Sequence, residues 1–323
     1  MNQRIVQAGT KLRSYPALRS AVVGAKDALF QAKIATRVLR SAPFVIEDEF
    51  GIRLLIPPYM RPTARQLVHR HADRAPFALM STLLRPGDVV LDVGANVGVY
   101  AVHASRHVGP DGRVYAFEPV PATAGRLAET LAINGCRNVT VVRAAVTDQP
   151  GTITMNVYSD PVHADWNSMG KHPMRSYAGK EVHPDLTAEA RAETLDTWAA
   201  GAGIDDVAFC KVDVEGFERH VFAGAARLLA ERRIRVIAFE ISEDPLAGEG
   251  GTPSDVFLAL TGHGYKILRS GEVGSPLVGP IDPHEEEKRL MSKPTPRPFV
   301  ANYFAALDPA AVMAALDTVT LGR

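Results

Sequence analysis

Apolar runs that stop at an acid recur along the chain. Val89-Val90-Leu91 stops at Asp92, Val114-Tyr115-Ala116-Phe117 at Glu118, Val207 to Val212 at Asp213, and Val236-Ile237-Ala238-Phe239 at Glu240. Runs of this kind predict strands buried on both faces, the habit of a parallel sheet. Between them, apolar residues fall at helical spacing after Gly98, from Pro121 to Asn134-Gly135, and from Glu218 to Arg232. Strand and helix in alternation predict an α/β fold. Val139 to Arg143 adds a strand, and the tail predicts a helix at Ser254 to Gly262 and strands at Tyr265 to Arg269 and Val300 to Leu307. Glu285-Glu286-Glu287-Lys288-Arg289, in the connection before that last strand, reads as a solvated charge run, with part of an acceptor rim as the alternative.

Two stretches depart from this rhythm. Phe44 to Pro57 alternates around Gly51 and predicts a β-hairpin, followed by a helical entry from Pro62 to Leu84 whose His69 and His71 read as surface or packing residues. Gly151 to Ala192 opens with an alternating strand and turns polar, with His163, Asp165, Trp166, Asn167, Ser168, His172, His183 and Asp185. An insertion there lies over the carboxyl edge of the sheet and can form a lid over an acceptor. A disordered loop is the alternative, which Trp166 opposes, since an indole is seldom left in water without a use.

Composition narrows the class. Lys plus Arg equals Asp plus Glu at 36 each in 323 residues, so no global charge points to nucleic acid or lipid. Cys136 and Cys210 are too few for a disulfide framework or a zinc knuckle, which implies a reduced, cytoplasmic setting. Residues 1–43 differ: eight Lys and Arg face only Asp27, with apolar residues at roughly helical spacing. This basic helical arm reads as a membrane-surface or polyanion contact, a dimer arm that would make a homodimer, or a helical layer with its basic face solvated; the last is favoured. No apolar run approaches the roughly 20 residues of a membrane span, and no signal peptide is visible. Residues 44–323 form the remaining domain, with the insertion at about 151–192.

The first strand and its turn carry the chemistry. Gly94 permits a tight turn and Gly98 lets a helix start lie close to strand and ligand. A dinucleotide fingerprint wants glycine where Asn96 stands, so pyrophosphate is disfavoured. Asp92 suits a ligand whose near end is cationic, such as S-adenosylmethionine, while Glu118 can accept from ribose hydroxyls. The bland alternative is a βα turn that binds nothing, with both acids as helix caps. Candidate cofactor contacts are Asp92, Gly94, Ala95, Asn96, Gly98, Glu118, Pro119, Ala145 and Asp148. Small residues at 144–146 leave room for a ring, and Asp148 either holds a purine amino group or caps a turn.

Asp92-Val-Gly-Ala-Asn-Val-Gly98, Phe117-Glu-Pro119, Asn167-Ser168, Glu193-Thr-Leu-Asp196, Lys211-Val-Asp-Val-Glu-Gly-Phe-Glu218 and Phe239-Glu240 together resemble the FkbM family of S-adenosylmethionine-dependent O-methyltransferases, from Val45 to Leu307. The resemblance implies a Rossmann-like class I methyltransferase fold: a seven-stranded, mostly parallel sheet with helices on both faces, its last strands an antiparallel hairpin. It also implies a small-molecule acceptor, a hydroxyl of a sugar, glycoside or related secondary metabolite.

Methyl transfer to oxygen is an in-line displacement with neutral thioether leaving, and alignment supplies much of the rate. The hydroxyl proton needs a destination. A general base is one route, with Glu215 or His163 as candidates. A divalent cation such as magnesium is the other, with Asp213 and Glu240 as candidate ligands. Trp166, Asn167, Ser168 and Lys211 are candidate acceptor contacts, though Lys211 can instead fix a carboxylate or, inside a strand, equally snorkel to solvent. Two further readings remain open, a non-catalytic S-adenosylmethionine-binding subunit and a nucleotide-dependent dehydrogenase, the latter opposed by Asn96.

Overall fold

The computed structural model describes residues 44–48, 50–56, 74–159, 167–170, 174–175, 181–270, 277–292 and 299–321. The expectations for the arm at 1–43, for His69 and His71, and for His163, Asp165, Trp166 and His172 fall outside the described residues.

A hairpin of β1 (Phe44–Glu47) and β2 (Arg53–Ile56) precedes α1 (Arg74–Leu83). Next come β3 (Val89–Val93), α2 (Val99–Val108), β4 (Arg113–Phe117), α3 (Pro121–Asn134) and β5 (Val139–Val142). The insertion carries β6 (Ala145–Val146), β7 (Gly151–Val157), β8 (Met174–Arg175), β9 (Glu181–Val182) and β10 (Leu186–Glu193). The second half runs α4 (Leu195–Ala202), β11 (Val207–Val212), α5 (Glu218–Ala223), α6 (Ala226–Ala230), β12 (Ile234–Ser242), α7 (Glu243–Gly248), α8 (Pro253–Thr261), β13 (Lys266–Arg269), α9 (Pro283–Met291), β14 (Val300–Ala306) and α10 (Pro309–Leu321).

The main sheet has seven strands in the order β13-β14-β12-β11-β3-β4-β5, with β14 antiparallel to both neighbours and the rest parallel. Strand order reverses between β3 and β11, which opens a crevice beyond their carboxyl ends. Each sheet face has its own core. Val90, Ala116, Phe209 and Ala238 pack with α1, α2 and the β1–β2 hairpin on one side, while Leu91, Phe117, Cys210 and Phe239 pack with α5 and α8 on the other. Because side chains alternate along a strand, Asp92 and Lys211 fall on the same side as Val90 and Phe209.

Three departures from the sequence expectations have visible causes. β10, Leu-Thr-Ala-Glu-Ala-Arg-Ala-Glu, reads as polar connection yet pairs antiparallel with β7 over seven residue pairs and adds β6 in parallel, making a separate three-stranded sheet. The helix expected at Glu218 to Arg232 breaks into α5 and α6 at Gly224, where a Cβ would stand 2.1 Å from the Thr147 carbonyl oxygen. The charge run Glu285 to Arg289 lies in α9, and Glu286 is not solvated: it is buried and binds Arg269 at 2.8 Å, Tyr303 at 2.9 Å and Arg289.

Candidate active site

Gly94, at φ +80, ends β3 so close to the exit of β11 that a Cβ would come within 1.8 Å of the Asp213 carbonyl oxygen. The glycine is therefore demanded by the meeting of two strand ends as much as by the turn itself. The Asp213 N–H in turn donates to the Val93 carbonyl at 2.9 Å. Above this junction lies a cavity of about 350 Å³. It runs from Gly94, Ala95, Asn96, Glu118 and Pro119 to Asp213, Glu215 and Glu240.

Glu118 anchors the first end. Its buried carboxylate accepts from the Asn96 N–H at 3.0 Å and the Val120 N–H at 3.0 Å, tying the β3 turn to the start of α3. Asn96 itself takes φ +48, a left-handed conformation that asparagine tolerates. Ala144, Ala145, Val146 and Thr123 form a wall of small side chains beside it. A carboxylate at the strand end and a shallow apolar wall next to it suit a ribose and a planar base, so the residues present fit an adenosine-containing cofactor.

Not every candidate contact lies in the cavity wall. Asp92 is buried beneath it, with the Ala101 N–H of α2 donating to its carboxylate and Lys211 across the β3–β11 register. Burial, offset in part by Lys211, pushes its carboxyl up to about 7. Gly98 lies outside the cavity wall, and a Cβ there would meet Leu127 of α3 at 2.3 Å. Asp148 turns away to His220 Nδ1 at 3.3 Å and accepts from the Thr147 hydroxyl at 2.9 Å.

At the far end, Asp213, Glu215 and Glu240 converge with one carboxylate oxygen each inside 4.8 Å of the others. Two different strand exits supply them, so the sheet itself brings the charges together. Lys211 does not snorkel: it is 2% exposed, and its ammonium lies 3.2 Å from Asp213 Oδ2 and 5.3 Å from the centre of the Tyr100 ring. Glu218 is a buried acid behind this end. It accepts from Val214 N–H at 3.4 Å and Gly216 N–H at 3.2 Å, and burial with the nearby Asp213 charge pushes its carboxyl up to about 7.

Of the insertion residues named from sequence, Asn167 lines the cavity and accepts from the Tyr158 N–H at 3.0 Å, whereas Ser168 is buried behind the wall. His183 is exposed beside Glu181. Tyr100, Met155 and Met169 also line the cavity. Sequence reasoning missed them because apolar residues at helical or alternating spacing look like core. Glu218 stood inside a quoted motif, and its placement five residues after Asp213, at a helix start, was the available signal.

The model of the methyltransferase FkbM domain matches residues 92–267. The chain is 31% identical over 207 residues to the 31-O-demethyl-FK506 methyltransferase FkbM of Streptomyces tacrolimicus, covering 57% of this chain and 75% of that protein. It is 28% identical over 206 residues to the 2-O-methyltransferase NoeI of Sinorhizobium fredii, covering 62% and 79%. A solved SAM-dependent O-methyltransferase from Thermotoga maritima superposes with a TM-score of 0.40 at 14% identity, over 81% of this chain and 77% of that one. With the motif-bearing strands, the switch-point cavity and the matched domain in register, the chain belongs to the FkbM family of S-adenosylmethionine-dependent O-methyltransferases.

Proposed function

We propose that the protein methylates a hydroxyl group of a sugar, glycoside or related secondary metabolite, using a divalent cation such as magnesium at Asp213, Glu215 and Glu240. The observation that carries the reading is the convergence of those three carboxylates at the end of the cavity opposite Glu118. Three carboxylates so close repel one another, and each offers one oxygen to a common point. A divalent cation with oxygen ligands would relieve that repulsion, and one bound there would lower the pKa of an acceptor hydroxyl.

S-adenosylmethionine, when bound, supplies an electrophilic methyl group on sulfonium. Glu118 and the 144–146 wall orient its nucleoside, and Gly94 to Asn96 line the path toward the acids. The acid trio would hold the cation and, through it, the acceptor oxygen in line, the hydroxyl proton passing to solvent, while Tyr100, Met155 and Met169 line the space around the reacting atoms. Support for a hydroxyl acceptor comes from the two relatives whose names specify O-methylation. Both cysteines are free thiols, which supports a reducing, cytoplasmic setting. Among the described residues no helix is long and apolar enough to cross a membrane.

The test is transfer of labelled methyl from S-adenosylmethionine to a panel of sugars, glycosides and macrolides, each with magnesium and with a chelator. Transfer that stops with chelator is the expected result. Transfer that persists would assign the proton to a carboxylate base and remove the cation from the account.

A further inference from the structure

Residues 167–170 of the insertion are stitched to β7. Asn156 and Ser168 exchange both backbone hydrogen bonds, at 2.7 and 3.1 Å, and the Asn156 side-chain amide donates to the Met169 carbonyl at 2.8 Å. From this seam one side chain reaches the other half of the molecule. The Ser168 hydroxyl donates to the Glu215 carbonyl oxygen at 2.9 Å and accepts from the Gly170 N–H at 3.2 Å. Ser168 is 3% exposed, so this contact is made in the protein interior.

Glu215 needs such a tie. It has φ +51, a conformation sparsely occupied by residues with a Cβ, and such conformations persist only where the surroundings hold them. Glu218 takes the N–H groups on either side of it, at Val214 and Gly216, and Gly216 abuts α7 so closely that a Cβ would fall 2.6 Å from the Pro245 backbone. Ser168 adds a restraint on the carbonyl of Glu215 itself.

We propose that Ser168 is a positioning residue that couples the insertion to the Glu215 loop, so that the wall over the cavity and the direction of the Glu215 carboxylate are set together. The proposal rests on the reading of this cavity as the methyl-transfer site. It gives the hydroxyl a role different from acceptor binding, because its one proton is donated within the protein and the side chain is buried behind the cavity wall.

The experiment is backbone hydrogen exchange of the full chain, with and without S-adenosylhomocysteine, for the wild type, Ser168→Ala and Ser168→Thr. Without ligand, Ser168→Ala is expected to speed exchange at 213–218 at least tenfold, leave 89–98 and 113–120 unchanged, and be restored by Ser168→Thr. With ligand, Ser168→Ala retains protection at 94–98 and loses it at 213–218. A serine that merely holds the insertion together would speed exchange at 151–159 and 186–193 only, and that result overturns the coupling. So does a loss spread over the whole chain that Ser168→Thr does not repair. If S-adenosylhomocysteine protects nothing in the wild type, the methyl-transfer reading fails, while the ligand-free comparison still decides the coupling.

Discussion

Gly94→Ala places a methyl group where β3 and β11 meet. The new Cβ would stand 1.8 Å from the Asp213 carbonyl oxygen and 2.8 Å from its carbon, so backbone rather than a flexible side chain must yield. Alanine must also hold φ +80. Strained φ costs about 1–3 kcal/mol and overpacking a comparable amount, which together make roughly 4 kcal/mol. At about 2 °C per kcal/mol for a domain of this size, the melting temperature falls by about 8 °C. Gly125→Ala is the control: it lies within α3 with nothing inside 4 Å of its Cβ, and it should gain about 0.5–1 kcal/mol. Calorimetric melting of both variants, with S-adenosylhomocysteine titration of each, tests the pair. If Gly94→Ala melts within 2 °C of the wild type and binds the ligand equally well, this glycine is not what lets the two strand ends meet.

Asp92 and Glu218, both buried with carboxyls raised to about 7, lie above their unfolded values near 4. The folded state therefore keeps protons that the unfolded chain has released, and stability present below about pH 4 is lost as pH rises toward 7; Asp92→Asn should flatten that slope in denaturant titrations across the window. Glu286→Ala removes the shared partner of Arg269, Arg289 and Tyr303, and chemical denaturation should show a loss of about 3 kcal/mol, the low end for a broken buried pair because both arginines are partly exposed. Asp196→Ala deletes the carboxylate that accepts the Arg227 and Leu228 N–H groups at 2.7 and 3.0 Å; loss of this cap on α6 should cost about 1 kcal/mol by the same assay.

The parallel strands and their terminal acids are legible in the sequence because burial on both faces forces unbroken apolar runs, and because the acid must sit where the run stops. β10 is not legible, since Ala, Glu and Arg carry little strand preference; its ladder with β7 decides its state. Glu286 is opaque for a related reason: Arg269 and Tyr303, the partners that bury it, arrive from β13 and β14. The site divides in the same way. Asp213 and Glu215 follow β11, Glu240 lies near the carboxyl end of β12, and the three meet in the cavity, whereas Asp92 near the end of β3 and Asp148 after β6 point to α2 and to His220. Which way an acid turns at a strand end depends on neighbours from other elements, and no local pattern carries that information.

The central claim is that one cavity holds the methyl donor at Glu118 and the reacting oxygen at the acid trio. Its most direct test is calorimetric titration of S-adenosylhomocysteine into the wild type, Glu118→Ala and Asp213→Asn. Binding to the wild type is expected, with at least 30-fold weaker binding to Glu118→Ala and an affinity within threefold of the wild type for Asp213→Asn. No binding by the wild type, or equal losses in both variants, would contradict it.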